Sequence, residues 1–157
     1  PDAPLDSLEL ILNPENLRRI ARCGVVVMDS AVDVLPTVLR HLKRDPLSGE
    51  AADLAEAQRL LLAIRPHLRG IPSPPAIIEQ LAAGEVCAAL TYSGDTIQAG
   101  ARAREARRPF TVQYLPPREG AQLSFDMLSI PADAPNPDAA HAFINFVLQP
   151  DVMAGIT

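Results

Sequence analysis

Between Val86 and Ala106 the sequence reads VCAALTYSGDTIQAGARAREA. Five apolar residues, Val86 to Leu90, run into Thr91-Tyr92 and a Ser-Gly-Asp turn. An alanine-rich segment with helical periodicity follows and stops at Arg107-Arg108-Pro109. A short apolar run bounded by turn residues and then a helical pattern predicts a strand, a tight turn and a helix start. A unit of this kind needs neighbouring strands and covering helices, so it commits the chain to an α/β fold. In such folds ligands sit outside the carboxyl ends of the strands. Tyr92 and Asp95 fall at that edge.

The rest of the chain repeats the alternation. Asn13-Pro14-Glu15 supplies a helix cap, a proline at the first helical position and an acid in the first turn. Leu17 and Ile20 give that helix a short apolar face, and Cys23-Gly24 ends it. Val25 to Met28 reads as a buried strand of β-branched residues. Asp29-Ser30 caps a helix over about 31–43, whose apolar face is Val34, Leu35, Val38, Leu39 and Leu42, with Pro36 inside it. A further helix is expected over about 51–65. Pro74-Pro75 opens another through Ile77, Ile78 and Leu81, and Gly84 closes it. Residues 110–115 and 121–130 read as strands joined by the turn Pro116 to Gly120, an arrangement compatible with an antiparallel pair. Asn136-Pro137-Asp138 starts a helix reaching Leu148, and a short helix begins at Asp151. The expectation is one α/β domain over residues 1–157, with a mixed β-sheet of at least four strands flanked by helices.

Composition narrows the function. The formal charge of −5 lacks the basic excess expected of a nucleic-acid partner. No apolar stretch reaches the roughly 18 residues of a membrane-spanning helix. His41, His67 and His141 are scattered, with no HExxH spacing, and there is no GxSxG, P-loop or GxGxxG motif. No enzyme activity, metal or cofactor is therefore expected. The N-terminal residues do not resemble a signal peptide. A start without methionine and an end at Gly155-Ile156-Thr157 fit an excised piece of a longer protein.

Several residues could carry chemistry. Asp95 reads either as an N-cap or as a ligand carboxylate beside the Tyr92 ring, a pairing suited to an ammonium group. Asp126 lies in Leu123-Ser124-Phe125-Asp126-Met127-Leu128. An acid within an apolar strand is costly unless paired, so it is either a satisfied structural acid or a second ligand carboxylate. Asp33 and Ser73 read individually as capping or solvated residues. Arg102, Arg104, Arg107 and Arg108 suit a helix C-terminus. Cys23 and Cys87 read either as two buried thiols or as one disulfide.

These segments also carry a resemblance. Cys23-Gly-Val, Pro36-Thr-Val-Leu, Gly84-Glu-Val-Cys-Ala-Ala, Tyr92-Ser-Gly-Asp95, Arg102-Ala-Arg-Glu-Ala, Glu119-Gly-Ala, Phe125-Asp-Met-Leu-Ser-Ile-Pro-Ala-Asp133 and Ala142-Phe-Ile-Asn-Phe-Val-Leu-Gln-Pro-Asp-Val152 follow one another in order. Together they resemble the periplasmic polyamine-binding proteins, solute receptors of ABC importers, and in particular the putrescine-binding type. The resemblance runs over nearly the whole chain but covers only the second of the two lobes of such a receptor.

The resemblance implies one lobe of a type II periplasmic-binding-protein fold with no catalytic role. It implies that Asp95 and Asp126 grip the amino groups of a polyamine such as putrescine. Tyr92 stands where the family usually has a tryptophan, and Ser124 where an aromatic residue is common, with Phe125 beside it. Asp33 matches a glutamate that holds an amine end, and Ser73 a cleft residue. Cys23 and Cys87 match a cysteine pair similar to a structural disulfide. The implied partners are a polyamine, the missing first lobe of the same receptor and the membrane permease of an ABC transporter. The implied location is the periplasm, or an extracytoplasmic site tethered to the membrane surface. Spermidine, agmatine or another organic cation is an alternative ligand, and a purely structural or interaction domain is an alternative reading.

Overall fold

The computed structural model describes residues 4–156, and by internal contacts these form two units that meet between Gln122 and Leu123. The first unit opens with two helices, α1 (Glu9–Leu12) and α2 (Pro14–Ile20). The side chain of Asn13 accepts hydrogen bonds from the backbone N–H groups of Glu15 and Asn16, and Pro14 occupies the first helical position. One 3-10 turn, Ala21–Cys23, leads into strand β1 (Val25–Val27), all three residues of which are buried. Helix α3 (Ala31–His41) follows with Pro36 inside it, then α4 (Ala51–Ile64), a 3-10 turn at Arg65–His67, and α5 (Pro74–Ala83). Strand β2 (Ala88–Leu90) and helix α6 (Ser93–Glu105) complete the regular elements of this unit.

β1 and β2 pair in parallel, with Val26 opposite Ala89. A third extended piece lies on the other side of β1. There Val26 forms a parallel bridge with Gly70, Arg69 N–H donates to Val25 C=O at 2.8 Å, and Asp29 N–H donates to Pro72 C=O at 3.0 Å. The core gathers around these strands. Leu12, Leu17, Val25, Val26, Val38, Leu39, Ile64 and Ile77 are all under 2 % exposed. They come from α1 to α5 and β1.

The α/β alternation holds, and the helices begin and end within about two residues of the expected positions. The sheet is smaller than expected. Among the described residues it has two strands, both parallel, instead of at least four in a mixed arrangement. Residues 111–117 and 121–131 form neither strand nor helix. Apolar alternation is necessary for a strand but not sufficient, because a strand also needs a neighbour to complete its ladder. Val112 still packs against the core. Glu119 holds the following turn: its carboxylate accepts from the Ser7 hydroxyl and from Leu8 N–H (3.2 Å), and Arg118 N–H donates to Asp6 C=O at 2.8 Å.

Gly84 closes α5 in the left-handed region with φ 77°. Phe110 lies so close that a Cβ on Gly84 would sit 2.7 Å from its ring. That is why the helix stops where the sequence places a glycine.

Cys23 and Cys87 are joined by a disulfide, with Cα atoms 5.6 Å apart. Both residues are exposed, so the reading of two buried thiols is wrong. The bond bridges the chain just before β1 to the chain just before β2. It therefore ties together the amino ends of the paired strands.

Because α5 and α6 start at the carboxyl ends of the strands, they end near the amino ends. Arg104, Arg107 and Arg108 collect at the end of α6, while Arg22, Arg65 and Arg69 flank the entries to β1 and its bridge partner. Basic side chains there oppose the negative helix ends.

The second unit contains α7 (Pro137–Val147) and α8 (Pro150–Ile156), which pack on each other. None of its described residues is buried, and Leu123, Phe125, Met127, Phe143 and Phe146 are largely exposed.

Candidate functional site

Parallel pairing of β1 and β2 sets their carboxyl ends side by side. From Val27 the chain passes through Met28-Asp29-Ser30 into α3, and from Leu90 through Thr91-Tyr92 into α6. Ser30 is the N-cap residue of α3 and Tyr92 that of α6. Asp33 and Asp95 then occupy the same place, the third residue of their helices. Negative side chains are favourable in a first helical turn. The two strand–loop–helix units thus deliver one acid each to the same edge. The reading of Asp95 as an N-cap is corrected: it lies inside the helix, and α6 has no side-chain cap.

The two acids are organised by hydroxyl groups. The phenol of Tyr92 donates to Oδ2 of Asp33 at 2.5 Å, across 59 residues of sequence. Ser30 Oγ donates to the same oxygen. Thr91 Oγ1 donates to Oδ2 of Asp95 at 2.5 Å. Among the described residues, no Lys, Arg or His nitrogen lies within 4.0 Å of either carboxylate. The site is therefore an acidic edge whose donors are all neutral.

Tyr92 registers that field. The hydrogen bond to the Asp33 carboxylate holds its phenol above the usual value of 10.0. Partial burial and the charges of Asp33 and Asp95 act in the same direction, and the Ser30 hydroxyl acts against them. Tyr92 is 42 % exposed.

Ser73 stands at the same edge. It is the N-cap residue of α5, is exposed, and follows Pro72, whose carbonyl receives Asp29 N–H. The structure brings Asp33, Tyr92 and Asp95 together, with Ser73 on the adjoining segment. Ser124, Phe125 and Asp126 belong to the second unit. All three are exposed and lie outside any strand, so Asp126 carries no burial cost of the kind an acid in an apolar strand would meet. Sequence reasoning overlooked the roles of Ser30 and Thr91. The spacings Ser30-x-x-Asp33 and Thr91-x-x-x-Asp95 were the available signals. Among the described residues there is no cluster of His, Cys, Asp and Glu able to hold a metal ion, and no helix is long and apolar enough to cross a membrane.

Comparison with known proteins sets this edge in a family. Residues 32–156 match the family model described as bacterial extracellular solute-binding protein. The chain is 44 % identical over 157 residues to the putrescine-binding periplasmic protein PotF of Escherichia coli, covering 99 % of this chain and 42 % of that protein. It is 43 % identical over 156 residues to the putrescine-binding periplasmic protein SpuD of Pseudomonas aeruginosa, with the same coverage of 99 % and 42 %. Among solved structures, the spermidine/putrescine ABC transporter substrate-binding protein PotD of Streptococcus pneumoniae superimposes with a TM-score of 0.71 at 24 % identity, over 96 % of this chain and 43 % of that one. A PotD lipoprotein of Treponema pallidum gives 0.74 at 23 % identity, over 98 % and 46 %. The chain thus spans about two fifths of the length of the curated relatives it matches, and its fold is that of one lobe of a periplasmic binding protein. It belongs to the family of bacterial extracellular solute-binding proteins.

Proposed function

We propose that this chain is one lobe of a non-catalytic receptor that binds a polyamine such as putrescine for import by an ABC transporter, in the periplasm or at the outer face of the membrane. The observation that carries the reading is the edge formed by Asp33, Tyr92 and Asp95, where two carboxylates and an aromatic ring converge with, among the described residues, no basic side chain within 4.0 Å to neutralise them. A linear diamine has the complementary chemistry. Its ammonium ends pair with carboxylates, and its methylene chain and charge both suit an aromatic face. The relatives named for putrescine binding support the same ligand class.

Asp95 and Asp33 take ammonium groups in this reading, Tyr92 lies along the chain of the ligand, and Ser73 lines the edge. Asp126, with Ser124 and Phe125 beside it, is assigned a second carboxylate role on the resemblance alone. The remaining length of the relatives supplies the opposing wall and the contacts to the permease. Closing two lobes over the ligand excludes water and strengthens every charge contact, so the 157-residue chain alone binds more weakly than a complete receptor.

Titration of putrescine into the 157-residue chain, followed by NMR, tests the reading. Resonances of Asp33, Tyr92 and Asp95 shift with putrescine, spermidine or agmatine and stay unmoved by 1,4-butanediol, which has the length without the charge. An equal response to the diol, or shifts confined to other residues, sinks it. Calorimetry on a complete receptor checks the second part, and equal affinity for lobe and receptor would contradict it.

A further inference from the structure

We propose that Ser30 and Thr91 are positioning residues of the acidic edge: each holds one carboxylate by a single oxygen and leaves the other oxygen to receive an ammonium group. The inference rests on the receptor reading for its ligand and on geometry for its residues.

Ser30 is the clearer case. A serine at an N-cap ordinarily accepts a hydrogen bond from a backbone N–H of the first turn, and in a capping box the acid three residues on returns a bond to the N-cap N–H. Neither happens here. Ser30 makes no side-chain cap bond, and its own N–H donates to Met28 C=O at 3.0 Å. Its hydroxyl instead donates to Oδ2 of Asp33. Thr91 precedes the N-cap residue of α6, and its hydroxyl donates to Oδ2 of Asp95 at 2.5 Å.

A hydroxyl thus holds an acid on each of two helices; the acids are both third in their helix, while the donors sit at the N-cap of α3 and one residue before the N-cap of α6. Oδ2 of Asp95 takes one neutral donor, Thr91, and Oδ2 of Asp33 takes two, Ser30 and Tyr92. Among the described residues no donor reaches Oδ1 of either acid. Neutral donors fix the plane of a carboxylate without cancelling its charge, which an arginine in the same place would do. A site built this way favours ligands that bring positive charge at both ends. It disfavours amino acids, whose own carboxylate would meet Asp33 or Asp95.

The test uses Ser30→Gly, which removes the hydroxyl while keeping a tolerated N-cap residue, and Thr91→Val. The conservative controls are Ser30→Thr and Thr91→Ser. Putrescine is the probe, titrated into the 157-residue chain and its variants. Loss of one charge-assisted hydrogen bond predicts about tenfold weaker binding for each hydroxyl deletion, with the controls within about twofold of the parent. Crystal structures give a readout independent of ligand: Asp95 leaves its rotamer in Thr91→Val, and Asp33, which Tyr92 also holds, leaves its rotamer in Ser30→Gly combined with Tyr92→Phe. Unchanged affinity with unchanged rotamers overturns the proposal, and so does a folded Thr91→Ser that binds no better than Thr91→Val. If the parent chain itself does not bind putrescine, the receptor reading fails, and the rotamers alone decide whether Ser30 and Thr91 position the acids.

Discussion

The Tyr92 phenol and the Asp33 carboxylate, 59 residues apart, are joined at 2.5 Å, so the two halves of the acidic edge are fastened to each other. The bond links the N-cap residue of α6 to the first turn of α3.

That link is measurable by titration. Tyr92 and Tyr114 are the two tyrosines of the chain, so a Tyr114→Phe background isolates Tyr92 in the ultraviolet absorbance of tyrosinate. The phenol of Tyr92 ionises above 10.0 because Asp33 accepts a hydrogen bond from it and both acids oppose a further negative charge. Asp33→Asn is expected to bring the midpoint back toward 10.0. By linkage, a raised folded value stabilises the protein fully below the unfolded value and is lost as pH rises through the folded one. No downward movement in Asp33→Asn would show that the bond is not formed in solution.

Glu119 has the opposite sign. Burial pushes its carboxyl upward. The Ser7 hydroxyl, the N–H groups of Glu119 and Leu8, and the charge of Arg118 together outweigh this and hold it below the usual 4.5. Its stabilisation is therefore present above pH 4.5 and disappears as pH falls through the lower folded value. Glu119→Gln should cost about 1 kcal/mol in urea denaturation at neutral pH. That difference should close in acid, and a difference that persists there contradicts the assignment.

The Cys23–Cys87 bond spans 64 residues. On the chain-entropy account a loop of that size stabilises by about 4 kcal/mol. Replacing both cysteines by serine is expected to lower the denaturation midpoint accordingly, with the urea m-value reporting any expansion of the unfolded chain. A double variant as stable as the parent would place the stabilisation elsewhere.

Gly84→Ala tests the end of α5. The positive φ of 77° and the nearby Phe110 ring both oppose a Cβ. A cost of about 1–2 kcal/mol is expected from the left-handed backbone alone. Gly84→Asn, which tolerates that region better, should cost less in thermal denaturation, and a reversed order would mean that the ring contact dominates.

The helices were legible because their punctuation is local. Asn13-Pro14, Pro74-Pro75 and Gly84 each act through their own backbone geometry, so the signal survives without knowledge of the fold. Strands over 110–115 and 121–130 were not realised because a ladder requires a neighbour, and sequence alternation does not say whether one exists. The site divides along the same line. Tyr92 and Asp95 were legible from their place after an apolar strand. Asp33 was silent until resemblance singled it out, since its partner is 59 residues away. Ser30 and Thr91 escaped notice because a hydroxyl looks like a cap until its acceptor is seen.

Arg104, Arg107 and Arg108 lie toward one end of the paired strands, interspersed with Glu85 and Glu105, while Asp29, Asp33 and Asp95 gather at the other. The three helix N-termini at the acidic end carry only about half a positive charge each, so the acids prevail there. A cation approaching the carboxyl ends meets these acids first. The bias reaches about 8 Å into physiological saline. Under the proposed receptor function, encounter of a polyamine with this edge slows as salt is added.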